Sequence, residues 1–211
     1  MMKRVLLMSI VLMGCLQVAL AQHTIASIRK TYQEVKAGIA EMSDEFPVEG
    51  YPPVYYHLHV AENLPGTGPH HENIRMYYNE VYTEEEMIYP PHYLRFVTSK
   101  YNFAAREFYE EYLYDEKGRV MFIYVRTPDV DFPKMHEFRL YYDGQRLLRL
   151  NVKVAENLET SGDTPISTAD FKDIYTGTTV PKQYAEFCSQ YLARARRNLE
   201  MFKAIDNNTY I

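Results

Sequence analysis

The chain has 211 residues, with 23 Lys and Arg against 28 Asp and Glu, and a formal charge of −5 at pH 7. This length suits one folded domain, and the acidic balance excludes the basic surface expected of a nucleic-acid-binding protein. With 46% hydrophobic residues, the composition is that of a globular protein rather than a disordered or collagen-like chain. The 20 tyrosines and 10 phenylalanines, without any tryptophan, favour β-structure.

The N-terminus has the pattern of a secretory signal peptide. Lys3 and Arg4 precede an apolar run, and Ala19-Leu20-Ala21 supplies small residues where a signal peptidase requires them. We therefore expect cleavage after Ala21. Residues 1–21 are then a signal peptide, and residues 22–211 form a single α+β domain that is periplasmic or secreted.

A second interpretation of the same segment stays open. Leu12-Met13-Gly14-Cys15 resembles a bacterial lipobox, which would make the chain a lipoprotein anchored at Cys15. In either case no later apolar run reaches the roughly 20 residues that a membrane-spanning helix needs. We therefore expect no transmembrane segment in the mature chain.

Two amphipathic helices are predicted at the ends of the mature chain. From Ile25 to Met42 the apolar residues recur at steps of three and four, which predicts a helix from about Thr24 to Met42. A second helix is predicted from about Pro181 to Asn208, with Cys188 on its apolar stripe. We expect a buried, inert Cys188 thiol and a solvated opposite face that carries Arg194, Arg196, Arg197 and Lys203.

Alternating apolar residues between the helices predict about six antiparallel strands. Turns are expected at Asp115-Glu116-Lys117-Gly118 and at Asp143-Gly144, and the strand from Arg119 to Arg126 is apolar on both faces and therefore central. Ser167-Thr168-Ala169-Asp170 fits a capping box, which predicts one or two helical turns over Phe171 to Tyr175. The predicted fold is α+β, a meander-like antiparallel sheet flanked by the two helices.

Standard catalytic and cofactor motifs are missing from the sequence. The carboxylates, among them Glu110 and Glu111, are expected to be solvated, as are the polar residues that face away from Phe138, Leu140 and Tyr142 in the second hairpin. That polar face includes Glu137, Arg139 and Tyr141. We assign no catalytic or cofactor-binding residue and no cofactor.

Histidines form the one cluster with ligand chemistry. His57 and His59 project from the same face of a strand, and His70 and His71 open the strand expected to pair with it. A nitrogen and oxygen metal site there is geometrically conceivable, but such a site needs three or four converging ligands. We expect no metal, and we keep a hydrolase with a site near these histidines as the alternative function.

Tyrosine is the feature that favours a binding function. Fifteen of the tyrosines fall between Tyr51 and Tyr142, and the pairs Tyr55-Tyr56, Tyr77-Tyr78 and Tyr141-Tyr142 must each send one ring to either face of the sheet. An exposed aromatic face is suited to docking, whereas cross-strand packing is the structural alternative. We expect a non-catalytic binding protein of the cell envelope that contacts a protein, peptide or glycan. A purely structural envelope subunit is a further alternative.

Two resemblances accompany these patterns. Tyr114-Asp115-Glu116-Lys117-Gly118-Arg119 and Tyr142-Asp143-Gly144-Gln145-Arg146 are similar to the hairpin tips of YD-type repeats, without the regular period of those repeats. The order of signal peptide, amphipathic helix, tyrosine-rich strands and closing helix resembles uncharacterised exported proteins of Gram-negative gut bacteria. That resemblance implies a periplasmic or secreted setting and carries no activity or site residues.

Overall fold

A computed structural model describes residues 23–41, 55–81, 90–129, 134–156 and 171–209. The predicted signal peptide at 1–21 and the alternative lipid anchor at Cys15 lie outside these ranges. Within them the chain forms two helices and eight strands. In chain order these are α1 (Ile25–Glu41), β1 (Tyr55–Leu64), β2 (Gly68–Glu80), β3 (His92–Phe103), β4 (Arg106–Tyr114), β5 (Val120–Pro128), β6 (Met135–Asp143), β7 (Arg146–Ala155), β8 (Lys172–Gly177) and α2 (Lys182–Thr209).

The strands form one antiparallel meander in which each strand pairs with its neighbours in sequence, β1 at one edge and β8 at the other. This confirms the predicted α+β class and the antiparallel sheet between two helices. The expected number of about six strands is too low, because the described residues contain eight. The helical turns predicted over Phe171 to Tyr175 are wrong, because residues 172–177 form β8 along β7. Their proposed capping box, residues 167–170, lies outside the described residues.

Both predicted hairpin turns are present. Gly118 and Gly144 adopt φ of 73° and 63°, a left-handed conformation that glycine reaches without steric cost. In the first turn, one oxygen of the buried Asp115 carboxylate accepts hydrogen bonds from the backbone N–H groups of Lys117 and Arg119 at 3.0 and 2.8 Å. The turn before β5 is therefore held by a side chain as well as by its backbone.

The two helices cover opposite faces of the sheet. Helix α1 packs Ile28, with Tyr32, Val35 and Ile39 beside it, on a buried cluster that includes Phe96 and Leu113. Helix α2 packs Cys188, Tyr191, Ala195 and Phe202 on the other face. Because both faces of the central strands are covered, β4, β5 and β6 are buried on both sides, as the sequence predicts for the strand that ends at Arg126.

The N-terminus of α1 is hydrogen-bonded to the two hairpin turns described above. Thr24 and Ser27 cap the helix reciprocally, each side-chain oxygen accepting the backbone N–H of the other residue at 2.9 to 3.1 Å. The preceding residue, His23, donates its backbone N–H to Asp143 at 3.2 Å, and its ring Nε2 lies 3.2 Å from Asp115. Helix α1 is thereby tied to both hairpin turns.

Helix α2 keeps only part of the solvated face expected for it. Arg196, Arg197 and Lys203 are exposed, as predicted. Arg194 instead turns towards the sheet and forms an ion pair with the buried Glu110 at 2.9 Å, so its predicted solvation is wrong. Neither described helix is both long enough and apolar enough to cross a membrane.

Candidate functional site

A pocket of about 420 Å³ lies between α1 and the sheet. Helix α1 contributes lining residues that are one helical turn apart. Alternate residues of β5 and β6 line the side of the pocket formed by the sheet, which we call its floor. Phe122 is the cross-strand partner of Tyr141, and Tyr124 is the partner of Arg139, so these four side chains form a square on the face that α1 covers. The residues that line the pocket are Ile28, Arg29, Tyr32, Gln33, Phe122, Tyr124, Arg139 and Tyr141.

The side chains at the solvent-facing mouth of this pocket are exposed, whereas those at its floor on the sheet are buried or half-buried. Arg29 and Gln33 are exposed on the surface of α1, whereas Phe122 and Tyr141 are buried beneath it. The Arg29 guanidinium lies 5.5 Å from the centre of the Tyr141 ring, and its Nε donates a long hydrogen bond of 3.4 Å to the Tyr141 hydroxyl. The pocket is therefore open to solvent at the helix and closed by aromatic rings at the sheet.

A buried carboxylate lies beside the floor of the pocket. Glu137 is only 1% exposed and accepts a hydrogen bond of 2.8 Å from the Tyr124 hydroxyl. Two guanidiniums compensate its charge, with Arg139 Nη2 at 2.7 Å and Arg126 Nε at 3.6 Å from the carboxylate oxygens. Solvation was predicted for Glu137, Arg139 and Tyr141, which share the face of the sheet that α1 covers. The prediction is wrong for Glu137 and Tyr141, which are buried, whereas Arg139 is half-buried.

A second buried carboxylate joins α1 to the sheet. Glu111 is 2% exposed and is the cross-strand partner of Tyr124. It accepts hydrogen bonds from the hydroxyls of Tyr32 and Tyr109 at 2.6 and 2.7 Å and from Lys36 Nζ at 2.8 Å. The predicted solvation of Glu111 is wrong for this reason, since three donors replace the water that burial removes.

Burial and the neighbouring carboxylates keep the pocket tyrosines protonated. Burial, and then the charge of Glu111, hold the pKa of Tyr32 well above its usual range. Burial, and then the hydrogen bond to Glu137, raise the pKa of Tyr124 in the same way. Each hydroxyl directs its proton at a carboxylate and can act towards the pocket only as an acceptor, and Arg126 also approaches the Tyr124 oxygen. The two arginines are the charged donors of the pocket, and the Gln33 amide and the Tyr141 hydroxyl are neutral ones.

Among the described residues, the charges of the side chains around the pocket do not cancel. Glu111 is matched by Lys36, but Glu137 is shared by Arg126 and Arg139, and Arg29 contacts the neutral Tyr141. Asp173 also interacts with Arg139 but is paired with Lys153 at 3.6 Å, so among the described residues five cationic side chains surround three carboxylates. This arrangement gives the pocket a positive surplus on the side where the guanidiniums lie.

Glu110 lies on the opposite face, beneath α2, and its predicted solvation is also wrong, since it is 1% exposed. Its carboxylate accepts hydrogen bonds from the hydroxyls of Tyr101 and Tyr112 and pairs with Arg194. Burial raises the pKa of Glu110, against the opposing effect of the Arg194 charge and the two hydroxyls. The same guanidinium lies 4.7 Å above the Tyr101 ring. This cluster links α2 to the sheet and contributes no residue that lines the pocket under α1.

The structure brings only His59 and His71 of the predicted histidine cluster into contact. The rings of His59 and His71 stack with their centres 5.8 Å apart, and His57 Nε2 lies 3.3 Å from the Asn73 side chain. His70 points to the opposite face, with its ring centre 6.5 Å from that of Tyr101. Among the described residues no three His, Cys, Asp or Glu side chains are placed to hold one metal ion.

Cys188 and the paired tyrosines have the placement that the sequence predicts. The Cys188 thiol is buried against the sheet, and burial raises its pKa to about 11. Tyr77 and Tyr141 pack on the α1 face, whereas Tyr78 and Tyr142 pack on the α2 face. Tyr77, Tyr141 and Tyr142 are buried in this packing, and four aromatic rings, those of Tyr32, Phe122, Tyr124 and Tyr141, line the pocket.

The pocket was missed at the sequence level, although one signal pointed to part of it. Tyr109-Glu110-Glu111-Tyr112 lies in the middle of β4 rather than at a turn, where charges are usually solvated. Adjacent carboxylates in a strand that is buried on both faces must each find partners.

Comparison of the chain with protein-family models, with curated proteins and with solved structures finds no match in any of the three. The chemistry of the pocket is therefore the basis on which a function is argued.

Proposed function

We propose that the mature chain is an exported, non-catalytic binding protein of the cell envelope whose ligand occupies the pocket between α1 and the sheet. The observation that carries this proposal is the pocket itself, with its two guanidiniums, three tyrosine rings and volume of about 420 Å³. That volume lies at the lower end of the range of about 300–1,000 Å³ in which proteins bind small ligands. It suits a small molecule, one sugar unit or one side chain of a peptide.

The lining residues favour binding over hydrolysis. Among the eight residues that line the pocket there is no histidine, serine, cysteine or carboxylate to act as nucleophile or base. The nearby carboxylates of Glu111 and Glu137 already accept bonds from tyrosine hydroxyls and are paired with cations. A carboxylate that is occupied in this way is poorly placed to take a proton from a substrate.

Export depends on the pattern of the first 21 residues. Intact-mass analysis of protein made in a Gram-negative host tests it, because cleavage after Ala21 leaves Gln22 as the first residue. A diacyl or triacyl mass attached at Cys15 would instead support the lipoprotein alternative.

A pocket-blocking variant tests the binding site. Gln33→Trp places an indole at the mouth of the pocket, whereas Ala37→Trp places the same group one turn later, at an exposed position that does not line it. Small acids, sugars and peptides are screened by ligand-observed NMR against the mature protein and both variants. We expect binding that Gln33→Trp abolishes and Ala37→Trp leaves unchanged. Ligands that bind equally to both variants would overturn this site.

A further inference from the structure

The geometry points to a ligand that carries a carboxylate and a hydroxyl group, with the carboxylate held by Arg29 and Arg139. This inference rests on the proposed function, because it names the chemical class of the ligand for the same pocket. It is argued from the charge surplus, from the free donors of Arg139 and from the direction of the tyrosine hydroxyls.

The excess of positive charge around the pocket favours binding of an anion. Glu137 neutralises only one of the two guanidiniums that share it, and the described neighbours of Arg29 include the neutral Tyr141 ring rather than a carboxylate. Desolvating a cation without a counter-charge is costly, so a half-buried guanidinium beside a cavity is stabilised when an anion binds there. A ligand anion would complete the pairing that Glu137 leaves unfinished.

The donors of Arg139 are available for such a ligand. Its Nη2 is 2.7 Å from Glu137 Oε1, yet that buried oxygen accepts no hydrogen bond from any described residue. The guanidinium is therefore close enough for an ion pair, but its N–H groups are not aligned with Oε1. A guanidinium that is held in place by an ion pair and has unused N–H donors can form the planar, bidentate pair of hydrogen bonds that arginine makes with a carboxylate.

The tyrosines favour a carboxylate over a phosphate and add a requirement for a donor. Of the three pocket tyrosines, Tyr32 and Tyr124 give their protons to Glu111 and Glu137 and offer the ligand no proton. The Tyr141 hydroxyl accepts from Arg29 and can donate its own proton to a carboxylate oxygen. A phosphate needs hydrogen-bond donors around three oxygens, and it would bring up to two negative charges close to Glu111 and Glu137. A carboxylate needs donors only for its two oxygens, which one guanidinium can supply. A hydroxyl on the same ligand can donate to a tyrosine oxygen.

Matched pairs of acids and neutral analogues test the inference. The probes are 4-hydroxybenzoate against 4-hydroxybenzamide and glucuronate against glucose, titrated into the mature protein by calorimetry and ligand-observed NMR. We expect each acid to bind at least about tenfold more tightly than its neutral partner, because a hydrogen bond to a charged group is worth at least that factor. Binding of the acid should weaken with salt, and inorganic phosphate should compete less well than acetate.

Arginine variants assign the contact. Arg139→Gln and Arg29→Gln should each weaken binding of the acid several-fold to tenfold or more, and weaken binding of the neutral analogue by a smaller factor. Arg196→Gln removes the same charge from an exposed position on the opposite helix and should change nothing. Arg139→Gln leaves Arg126 and the Tyr124 hydroxyl on Glu137, so we expect it to fold with reduced stability, and circular dichroism checks the fold before binding is measured.

The outcomes separate this inference from the proposed function. If neutral analogues bind as tightly as acids and Gln33→Trp abolishes both, the pocket binds ligands and the carboxylate assignment is wrong. If phosphate competes better than acetate, the choice of anion is wrong. If neither the acids nor their neutral analogues bind, or if binding is indifferent to Gln33→Trp, both the inference and the proposed site are contradicted.

Discussion

Reversal of one charge on α1 tests how this helix is held on the sheet. From the sequence alone, Lys36 lies on the polar side of the predicted helix, and Lys36→Glu is expected to be nearly neutral. In the structure, Lys36 Nζ lies 2.8 Å from the Glu111 carboxylate, whose side chain is almost completely buried. The substitution would place two carboxylates together where water has largely been removed, so we now expect a large loss of stability.

The magnitude follows from the burial of each partner. Breaking a buried ion pair by removing one partner costs about 3–5 kcal/mol, because the other charge is left buried. The Lys36 side chain is 39% exposed, so water screens part of this effect, and Tyr32 and Tyr109 still donate to Glu111. We expect Lys36→Glu to lower the free energy of unfolding by about 2–3 kcal/mol. In a chain of this size that corresponds to a fall in Tm of roughly 4–12 °C.

Lys30→Glu is the matched control on the same helix. Lys30 pairs with Glu34 at 3.8 Å, but their side chains are 79% and 62% exposed, and such surface pairs contribute about 0.3–0.5 kcal/mol. Urea denaturation followed by circular dichroism gives both values. A double-mutant cycle of Lys36→Met with Glu111→Gln should show a coupling of at least about 1 kcal/mol. If Lys36→Glu and Lys30→Glu differ by less than about 0.5 kcal/mol, the described docking of α1 is wrong.

Three further predictions concern burial. Burial raises the pKa of Tyr32 and Tyr109 above the usual 10.0. Above pH 10 these protons are released only by the unfolded chain, so the free energy of unfolding, unaffected below pH 10, decreases with rising pH. The decrease is up to about 1.4 kcal/mol per pH unit for each tyrosine. The tyrosinate absorbance that is lost in Tyr32→Phe and Tyr109→Phe variants should therefore rise together with loss of the circular dichroism signal, and ionisation of these tyrosines in a folded chain would refute this. The Cys188 thiol, with a pKa of about 11, should resist a disulfide reagent at pH 8 until urea is added, whereas fast reaction of the native protein would show that it is accessible. Ile28→Asp should cost more than about 4 kcal/mol in thermal melts, because Ile28 is fully buried, and an effect as small as that of Lys30→Glu would contradict its packing.

Local patterns in the sequence predicted most of the fold. The steps of three and four from Ile25 gave α1 its buried face, and Asp143-Gly144 between two alternating runs gave the β6–β7 hairpin. Strand β8 was missed because it lies at the edge of the sheet and packs few side chains. Its residues do not alternate in polarity, so the preceding Ser and Thr suggested a helix start.

The candidate site could not be predicted in the same way, because it depends on alignment across several strands. Glu111, Tyr124 and Arg139 form a row only in the observed register of β4, β5 and β6, and no single strand contains that information. The polar face of β6 was interpreted as solvated from the alternation within its hairpin, which does not show which face of the sheet each helix covers. With a helix on each face, polar residues at the centre of the sheet are buried and must pair with each other.

The central claim is that the pocket between α1 and the sheet binds a carboxylate. Its most direct test is a titration of the mature protein with 4-hydroxybenzoate, followed by the ¹⁵N NMR signals of the arginine side-chain Nε–H groups. We predict that the largest shifts occur at Arg29 and Arg139, while the signal of Arg196 on the opposite helix does not move. Saturating shifts that occur elsewhere on the protein and leave Arg139 unchanged would contradict the claim.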